Sequence, residues 1–391
     1  MRRVPARRRP RADKLRVMTV VGTRPELIKL SRIIAELDRH TRHTLVHTGQ
    51  NFDFELNGIF FRELEIRRPD YFLRAAEPGA VQTIAKVLVK ADEVLARVRP
   101  DAVLIYGDTN SCLAAIAAKR RRIPVFHLEA GNRCFDERVP EEINRRIIDH
   151  ISDINMPLTE HARRYLLAEG LRPETVIKVG STMREVLDYY RPGIDRCDVL
   201  KRLDLTPKRY FVVSAHREEN VDDPARLDRL MTALDRLSRQ YGRRIVMSTH
   251  PRTRRRLAGS SRRSNGSGQR VEFLKPFGFF DWIALQRQAA CVLSDSGTLT
   301  EEAALLGFPA VMLRDAHERP EGMDAGVTVM SGLSPQRVLQ AVELAMTQPP
   351  FGRGDASVPD YGERDVSRKV VRIILSYVDY VQRTIWFRPS E

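Results

Sequence analysis

The sequence predicts an α/β protein of two Rossmann-like, doubly wound domains facing a cleft. Three observations carry that prediction. Short apolar runs alternate with amphipathic segments, the pattern of strands joined by crossover helices into a parallel sheet covered on both faces. The alternation breaks once, around residue 190, and then restarts. At 391 residues the chain exceeds one comfortable hydrophobic core.

The elements follow in order. "RVMTVVG" (16–22) reads as the first strand. "PELIKLSRIIAEL" places Leu27, Leu30, Ile34 and Leu37 at helical spacing. Then come "TLVHTG", a helix near "VQTIAKVLVKADEVLARV", "DAVLIYGD", a helix in "NSCLAAIAAKR", "IPVFHLEAG", a helix from Pro140, "DINMPLT", a helix in "EHARRYLLAEG", and "VIKVGS". The polar, proline-bearing "YYRPGIDRCDVLKRLDLTPKRY" reads as a junction. The second round runs "YFVVSAH", helix "PARLDRLMTALDRLSRQYG", "RIVMSTH", "VEFLKPF", helix "DWIALQRQA", "CVLSDSG", helix "LTEEAALLG" and "PAVMLRD". "AGSSRRSNGSGQ" (258–269) reads as a mobile loop. The amphipathic "DVSRKVVRIILSYVDYVQRTIW" is expected to pack back on the first lobe. The expected division is a disordered basic arm (1–15), a first domain (16–190), a second domain (191–364) and the C-terminal helix (365–391).

Composition narrows the function classes. The 42% hydrophobic and 30% charged fractions are those of a globular protein, and no stretch approaches the roughly 18 to 20 apolar residues of a membrane span. The basic start, "MRRVPARRRPRADK", has no apolar run after it, so a cytoplasmic location is expected. Seven basic residues and one acidic residue there supply +6 of the +15 net charge. No interleaved aromatic and basic patch points to nucleic acid, and anionic small molecules account for the remaining charge equally well. Cys112, Cys134, Cys197 and Cys291 are scattered, without metal-ligand spacing, and read as reduced thiols.

In open α/β sheets, ligands bind beyond the carboxyl ends of the strands. Those ends carry Gly22-Thr23-Arg24-Pro25-Glu26, Thr48-Gly49-Gln50, Gly107-Asp108-Thr109-Asn110, Glu129-Ala130-Gly131, His216-Arg217, His250-Pro251-Arg252, Asp295-Ser296-Gly297-Thr298, and Arg314, Glu318 and Arg319. Several allow two readings. Pro25 and Glu26 suit simple helix capping, although capping does not require Arg24. Asp108 could cap the following helix or act in catalysis. His216 and His250 could be core histidines or ligand contacts. "SDSGTLTEEA" could hold an anion on backbone N–H groups, or form a capping box between Thr298 and Glu301. Neither G-x-x-x-x-G-K-[ST] nor G-x-G-x-x-G occurs, which disfavours ATP hydrolysis and a typical NAD site.

The segments "VGTRPELIKL", "HTGQ", "YGDTNS", "HLEAGNR", "PEEINRR", "VGS", "SAHREENVD", "STHPRT", "SDSGTLTEEA" and "ERPEGMDAG" occur in one order. Together they resemble the non-hydrolysing UDP-N-acetylglucosamine 2-epimerase family over nearly the whole chain. The resemblance implies the GT-B-like architecture, a UDP-sugar in the interdomain cleft with the second domain binding UDP, a homodimer, and neither metal nor redox cofactor. It implies interconversion of UDP-GlcNAc and UDP-ManNAc by anti-elimination of UDP through 2-acetamidoglucal and re-addition. By position, Asp108, Glu129 and Glu141 match the family's catalytic acids. Arg24 and Lys29 match residues near the phosphates. His216, Ser296, Gly297 and Glu302 match UDP contacts, with Glu302 on the ribose. Trp282 falls where an aromatic lies near the uracil, and Arg319 is a further substrate contact. After "HTGQ" the chain reads "NFDFELNGIFF", and "TL" replaces the usual "GI" in "DSGTLTEE". These departures resemble a branch acting on modified UDP-HexNAc sugars, such as N-acetyl-L-fucosamine precursors or 2,3-diacetamido uronates. They also predict loss or alteration of an activator site built partly by Asn51, Phe52, Asp53 and Phe54. A GT-B glycosyltransferase is the competing class.

Overall fold

The structure, a computed structural model, describes residues 14–50, 54–249, 253, 254, 256, 271–348 and 357–388. Most of the basic arm, Asn51 to Asp53, His250 to Arg252 and the 258–269 loop lie outside the described residues, as does the side chain of Phe54.

Two six-stranded parallel sheets form the frame. The first contains β1 (Arg16–Val21), β2 (Arg42–His47), β3 (Tyr71–Phe72), β4 (Ala102–Tyr106), β5 (Val125–Leu128) and β6 (Ile154–Met156), in the order β3-β2-β1-β4-β5-β6. The second contains β7 (Tyr210–Ser214), β8 (Arg244–Ser248), β9 (Val271–Leu274), β10 (Cys291–Ser294), β11 (Ala310–Met312) and β12 (Val329–Met330), in the order β12-β11-β10-β7-β8-β9. Counted within each sheet, both have the doubly wound order 3-2-1-4-5-6. Strands buried on both faces read as continuous apolar runs, and β4 is buried at all five positions. The two-residue strands β3 and β12 have no such run. "VIKVGS" forms a single bridge, Val176 to Asn155, rather than a strand.

The segment read as a junction is partly helical. The Met183–Asp195 helix carries Pro192 within it, and Tyr190 buries its ring there and donates to Leu64 O at 2.5 Å. One apolar cluster runs through both lobes, joining Leu27 and Leu104 to Ile283 and Val292. The C-terminal Val366–Thr384 helix contributes Val370 and Ile374 to it and contacts the Arg24–His40 helix. No helix among the described residues is long and apolar enough to cross a membrane.

Candidate active site

A doubly wound sheet opens a crevice where its strand order reverses. Here the reversals lie between β1 and β4, and between β7 and β10. Gly22 to Glu26 follow β1 and Asp108 follows β4. His216 follows β7, and Asp295 to Gly297 follow β10. Each crevice therefore opens between two of the strand ends singled out above.

Local chemistry shapes the first crevice. Thr23 caps the Arg24–His40 helix, and Glu26 accepts from the backbone N–H of Gly22 (2.5 Å) and Thr23 (2.7 Å). Glu26 also accepts from Thr109 Oγ1 at 2.6 Å, which ties the β1 turn to the β4 turn. Burial pushes its carboxyl up to about 7 against these donors. A side chain at Gly22 would collide with Ser111 Oγ and Thr48 Oγ1, so glycine is required for this close approach. Arg24 takes no part in the capping box; its guanidinium lies 5.9 Å from the Phe60 ring centroid.

Asp108 does not cap the next turn. Thr109 does, accepting from Ser111 N, while Asp108 Oδ2 accepts from Arg145 Nε at 2.8 Å. Glu141 lies in the first turn of the Pro140–Ile151 helix. Burial raises its carboxyl, and the negative charge of Asp108 raises it further. Glu142 serves the scaffold instead, accepting from Cys134 N and Arg145.

Glu129 follows β5 in the left-handed region, at φ +66°. Such backbone costs a non-glycine residue roughly 1–3 kcal/mol and persists only where its surroundings fix it. Its N–H donates to Met156 O, and its Oε2 accepts from Tyr106 Oη (2.6 Å), Arg319 Nη2 (2.9 Å) and Lys29 Nζ (3.0 Å). Burial alone would raise this carboxyl, but the Lys29 and Arg319 charges outweigh it and hold the group at about 2. His127 sits between the Gly107 turn and the Pro140–Ile151 helix, reaching Gly107 O (2.7 Å) and Asp149 Oδ1 (2.9 Å).

The second lobe completes the cluster. Buried Glu301 accepts from Lys29 and, at 2.5 Å, from Ser181 Oγ; Arg319 Nη2 lies 3.4 Å from it. No capping box forms between Thr298 and Glu301: Gly297 is the N-cap of the Thr298–Leu306 helix, with no side-chain cap bond. Sequence reasoning gave Glu301 no functional place because a capping motif explained it locally. Arg319 keeps Nε and Nη1 buried without acceptors among the described residues.

His216 is exposed, not a core histidine, with Nδ1 3.2 Å from buried Asp295. Burial raises Asp295, but His216 and the surrounding N–H donors bring it down to about 2. Ser296 Oγ lies 3.1 Å from Thr298 Oγ1. Glu302 is buried, accepts from Gln286 Nε2 at 2.7 Å, and is pushed up to about 7 by burial. Trp282, on the Phe279–Gln288 helix, is partly buried and stacks on Phe277 at 6.5 Å. The structure thus joins Lys29, Glu129 and Arg319 directly, and the charge of Asp108 acts on Glu141. Trp282 is placed by its stack on Phe277, and His216 by Asp295. No cluster of His, Cys, Asp or Glu among the described residues has the makings of a metal site.

The sequence profile of the UDP-N-acetylglucosamine 2-epimerase family matches residues 35–375. The chain belongs to that family. A UDP-N-acetylglucosamine 2-epimerase of Methanococcus maripaludis is 34% identical over 348 residues, covering 86% of this chain and 94% of its own. A UDP-2,3-diacetamido-2,3-dideoxy-D-glucuronate 2-epimerase of Pseudomonas aeruginosa is 33% identical, covering 85% and 92%. Among solved structures, the UDP-N-acetylglucosamine 2-epimerase of Rickettsia bellii superposes with a TM-score of 0.89 at 55% identity, over 96% of this chain and 100% of its own. The Methanocaldococcus jannaschii epimerase, solved with UDP-GlcNAc and UDP, gives 0.83 at 31%, over 93% and 100%. A trehalose 6-phosphate synthase from Burkholderia multivorans, at 12% identity and a TM-score of 0.60, shares the fold alone. Within this epimerase family the two-lobed architecture is common ground, so what this chain does rests on its cleft.

Proposed function

We propose that this chain epimerises UDP-GlcNAc and UDP-ManNAc at C2 without hydrolysis. One observation carries the reading: a single rim holds two carboxylates shifted in opposite directions, with the N-terminus of the Thr298–Leu306 helix in the same cleft. Glu129 is ionised and ion-paired; Glu141 is raised towards its protonated form. A base removes the C2 proton while the C1–O bond breaks, and its electron pair leaves with UDP. The product is 2-acetamidoglucal. UDP then re-adds at C1 as an acid delivers a proton to the opposite face of C2. Two faces require two proton-transfer groups.

Glu129 takes the proton in this scheme, and Glu141, raised by burial and by Asp108, delivers a second proton to the opposite face. A carboxylate held at about 2 is a weak base. Diphosphate oxygens drawing Lys29 and Arg319 away would strengthen it, so substrate binding itself would activate the base. The two unsatisfied donors of Arg319 support such a contact. Ser296 and Gly297 would hold the diphosphate at the Thr298 helix N-terminus, with Arg24 and His216 beside it. Glu302 would accept from the ribose, and Trp282 would flank the uracil.

Proton NMR of UDP-GlcNAc incubated in deuterated water tests the reading. Epimerised product should carry deuterium at C2. Product that keeps its original hydrogen rules out elimination and re-addition, and transfer that occurs only with an added acceptor favours a glycosyltransferase. The likeness to the diacetamido-uronate epimerase supports a second substrate, distinguished by the same assay on that sugar. A homodimer is also proposed. Val81 and Val89 on the Ala80–Val98 helix, and Ile143 on the Pro140–Ile151 helix, are exposed apolar residues. Light scattering after gel filtration should give twice the chain mass.

A further inference from the structure

Three arginines converge on one carboxylate, and that carboxylate belongs to the chain itself. Arg217 Nη2 donates to Glu318 Oε1 at 3.0 Å, and Arg314 Nη1 donates to Oε2 at 2.5 Å. Arg145 Nη2 lies 3.9 Å from Oε1. Glu318, Arg145 and Arg314 are all buried. Burial would raise the Glu318 carboxyl, but the arginines draw it well below the usual carboxylate range.

The same carboxylate lies against Gly297. A Cβ built there would stand 2.6 Å from Glu318 Oε1. Glu318 therefore sits beside Gly297, at the N-terminus of the Thr298–Leu306 helix. Guanidinium forks and a helix N-terminus are what bind a diphosphate most strongly. The forks are already turned towards an internal anion, and that anion lies beside the helix terminus.

We propose that Glu318 competes with the substrate's diphosphate for this cradle, and so sets both UDP affinity and the rate at which UDP leaves. The inference rests on the epimerase reading, which puts the diphosphate at Ser296 and Gly297. A diphosphate and a carboxylate cannot share the cradle without like charges in contact, so one must yield. The internal anion has a use. Three arginines side by side repel one another and would draw in water; Glu318 keeps them assembled and dry. An elimination that must hold UDP for re-addition, yet finally release product, needs a cradle that is strong but contested. The arginines also link it to the chemistry, because Arg145 binds Asp108 and the charge of Arg217 acts on Glu141.

The opposing account makes Glu318 a mere prop for the arginines, and the two differ in sign. Calorimetry would compare UDP and inorganic pyrophosphate binding to the wild-type chain and to Glu318→Gln, which keeps the shape and removes the charge. Both ligands should bind about ten-fold tighter to the variant, the scale of one charged hydrogen-bonding competitor removed. In the epimerisation assay kcat and KM should fall together as release slows. UDP affinity that is unchanged or weaker overturns the proposal, as does a gain for UDP without one for pyrophosphate. Should Glu318→Gln not fold, Glu318→Asp, one methylene shorter, must show the same direction of change or the proposal fails. A wild-type chain that binds no UDP sinks the epimerase reading as well; wild-type binding with a weakened variant sinks only this inference.

Discussion

Around Glu129, two cations hold the carboxyl at about 2, and one of them, Arg319, comes from the other lobe. Around Glu141 the dominant influences are burial and the carboxylate of Asp108, from the same lobe, and the group is raised. The two residues share one rim but not one environment. The difference teaches that acid and base are assigned by neighbours, and that the Glu129 assignment depends more on how the lobes meet. Glu129 is set by Arg319 directly and by Glu301, which shares both of its cations. Glu141 is set mainly by burial and Asp108, with Arg217 of the second lobe pulling it down.

The largest test removes each carboxylate in turn. Glu129→Gln and Glu141→Gln should each slow epimerisation by about 10²- to 10⁴-fold, the range of general acid–base groups. UDP affinity, measured by calorimetry, should stay within a few-fold. A matching loss of affinity would move that residue into the binding class and erase the contrast. Next, Lys29→Met makes the Glu129 site more like that of Glu141. Removing one partner of a buried ion cluster costs about 3–5 kcal/mol, read by urea unfolding. The sign of the pH effect follows. Lys29 favours the charged carboxylate, so without it the Glu129 pKa rises from about 2. The base then protonates at higher pH, and the acidic limb of kcat/KM should move upward. A limb that stays in place means Lys29 does not govern Glu129.

Which parts of this contrast were legible in the sequence follows from locality. The long apolar strands and their polar ends are local signals, and the segments around Asp108, Glu129 and Glu141 stand out from them. β3 and β12 carry too few residues to form a period. Glu301 satisfied a four-residue capping pattern, so nothing nearby suggested that it pairs instead with Lys29, 272 positions away. Glu318 stood among strand-end residues, but its three arginine partners converge only after both lobes have folded. Pairing across a cleft leaves no spacing to read.

A smaller effect sharpens the comparison on the nucleotide side. Glu302 resembles Glu141 in being raised by burial, here to about 7, but lies in the second lobe. Ribose hydroxyls donate, so they favour its ionised form. Uridine has no group titrating in this range and isolates the effect. Its affinity should weaken as pH falls through about 7, by at most about ten-fold per unit for one proton. Glu302→Gln should flatten the profile. A wild-type profile that is already flat would remove Glu302 from the ribose.

The smallest effect comes from the same chemistry placed in water. Arg121 and Asp92 form a two-point ion pair, with Nε to Oδ1 at 2.5 Å and Nη2 to Oδ2 at 2.7 Å. By distance this pair is tighter than Arg319 with Glu129 at 2.9 Å. By exposure it is the opposite, with 35% and 47% of the two side chains open to solvent against 4% and 12%. Water already solvates both charges of the surface pair, so little is lost when one is removed. Arg121→Ala should therefore cost less than about 1 kcal/mol in urea unfolding, and raised salt should shrink even that. The buried cluster differs because neither Glu129 nor Glu301 can recover a lost partner from solvent. If Arg121→Ala destabilised the chain as much as Lys29→Met, distance rather than burial would rank these interactions. The separate environments assigned to Glu129 and Glu141 would then lose their physical basis.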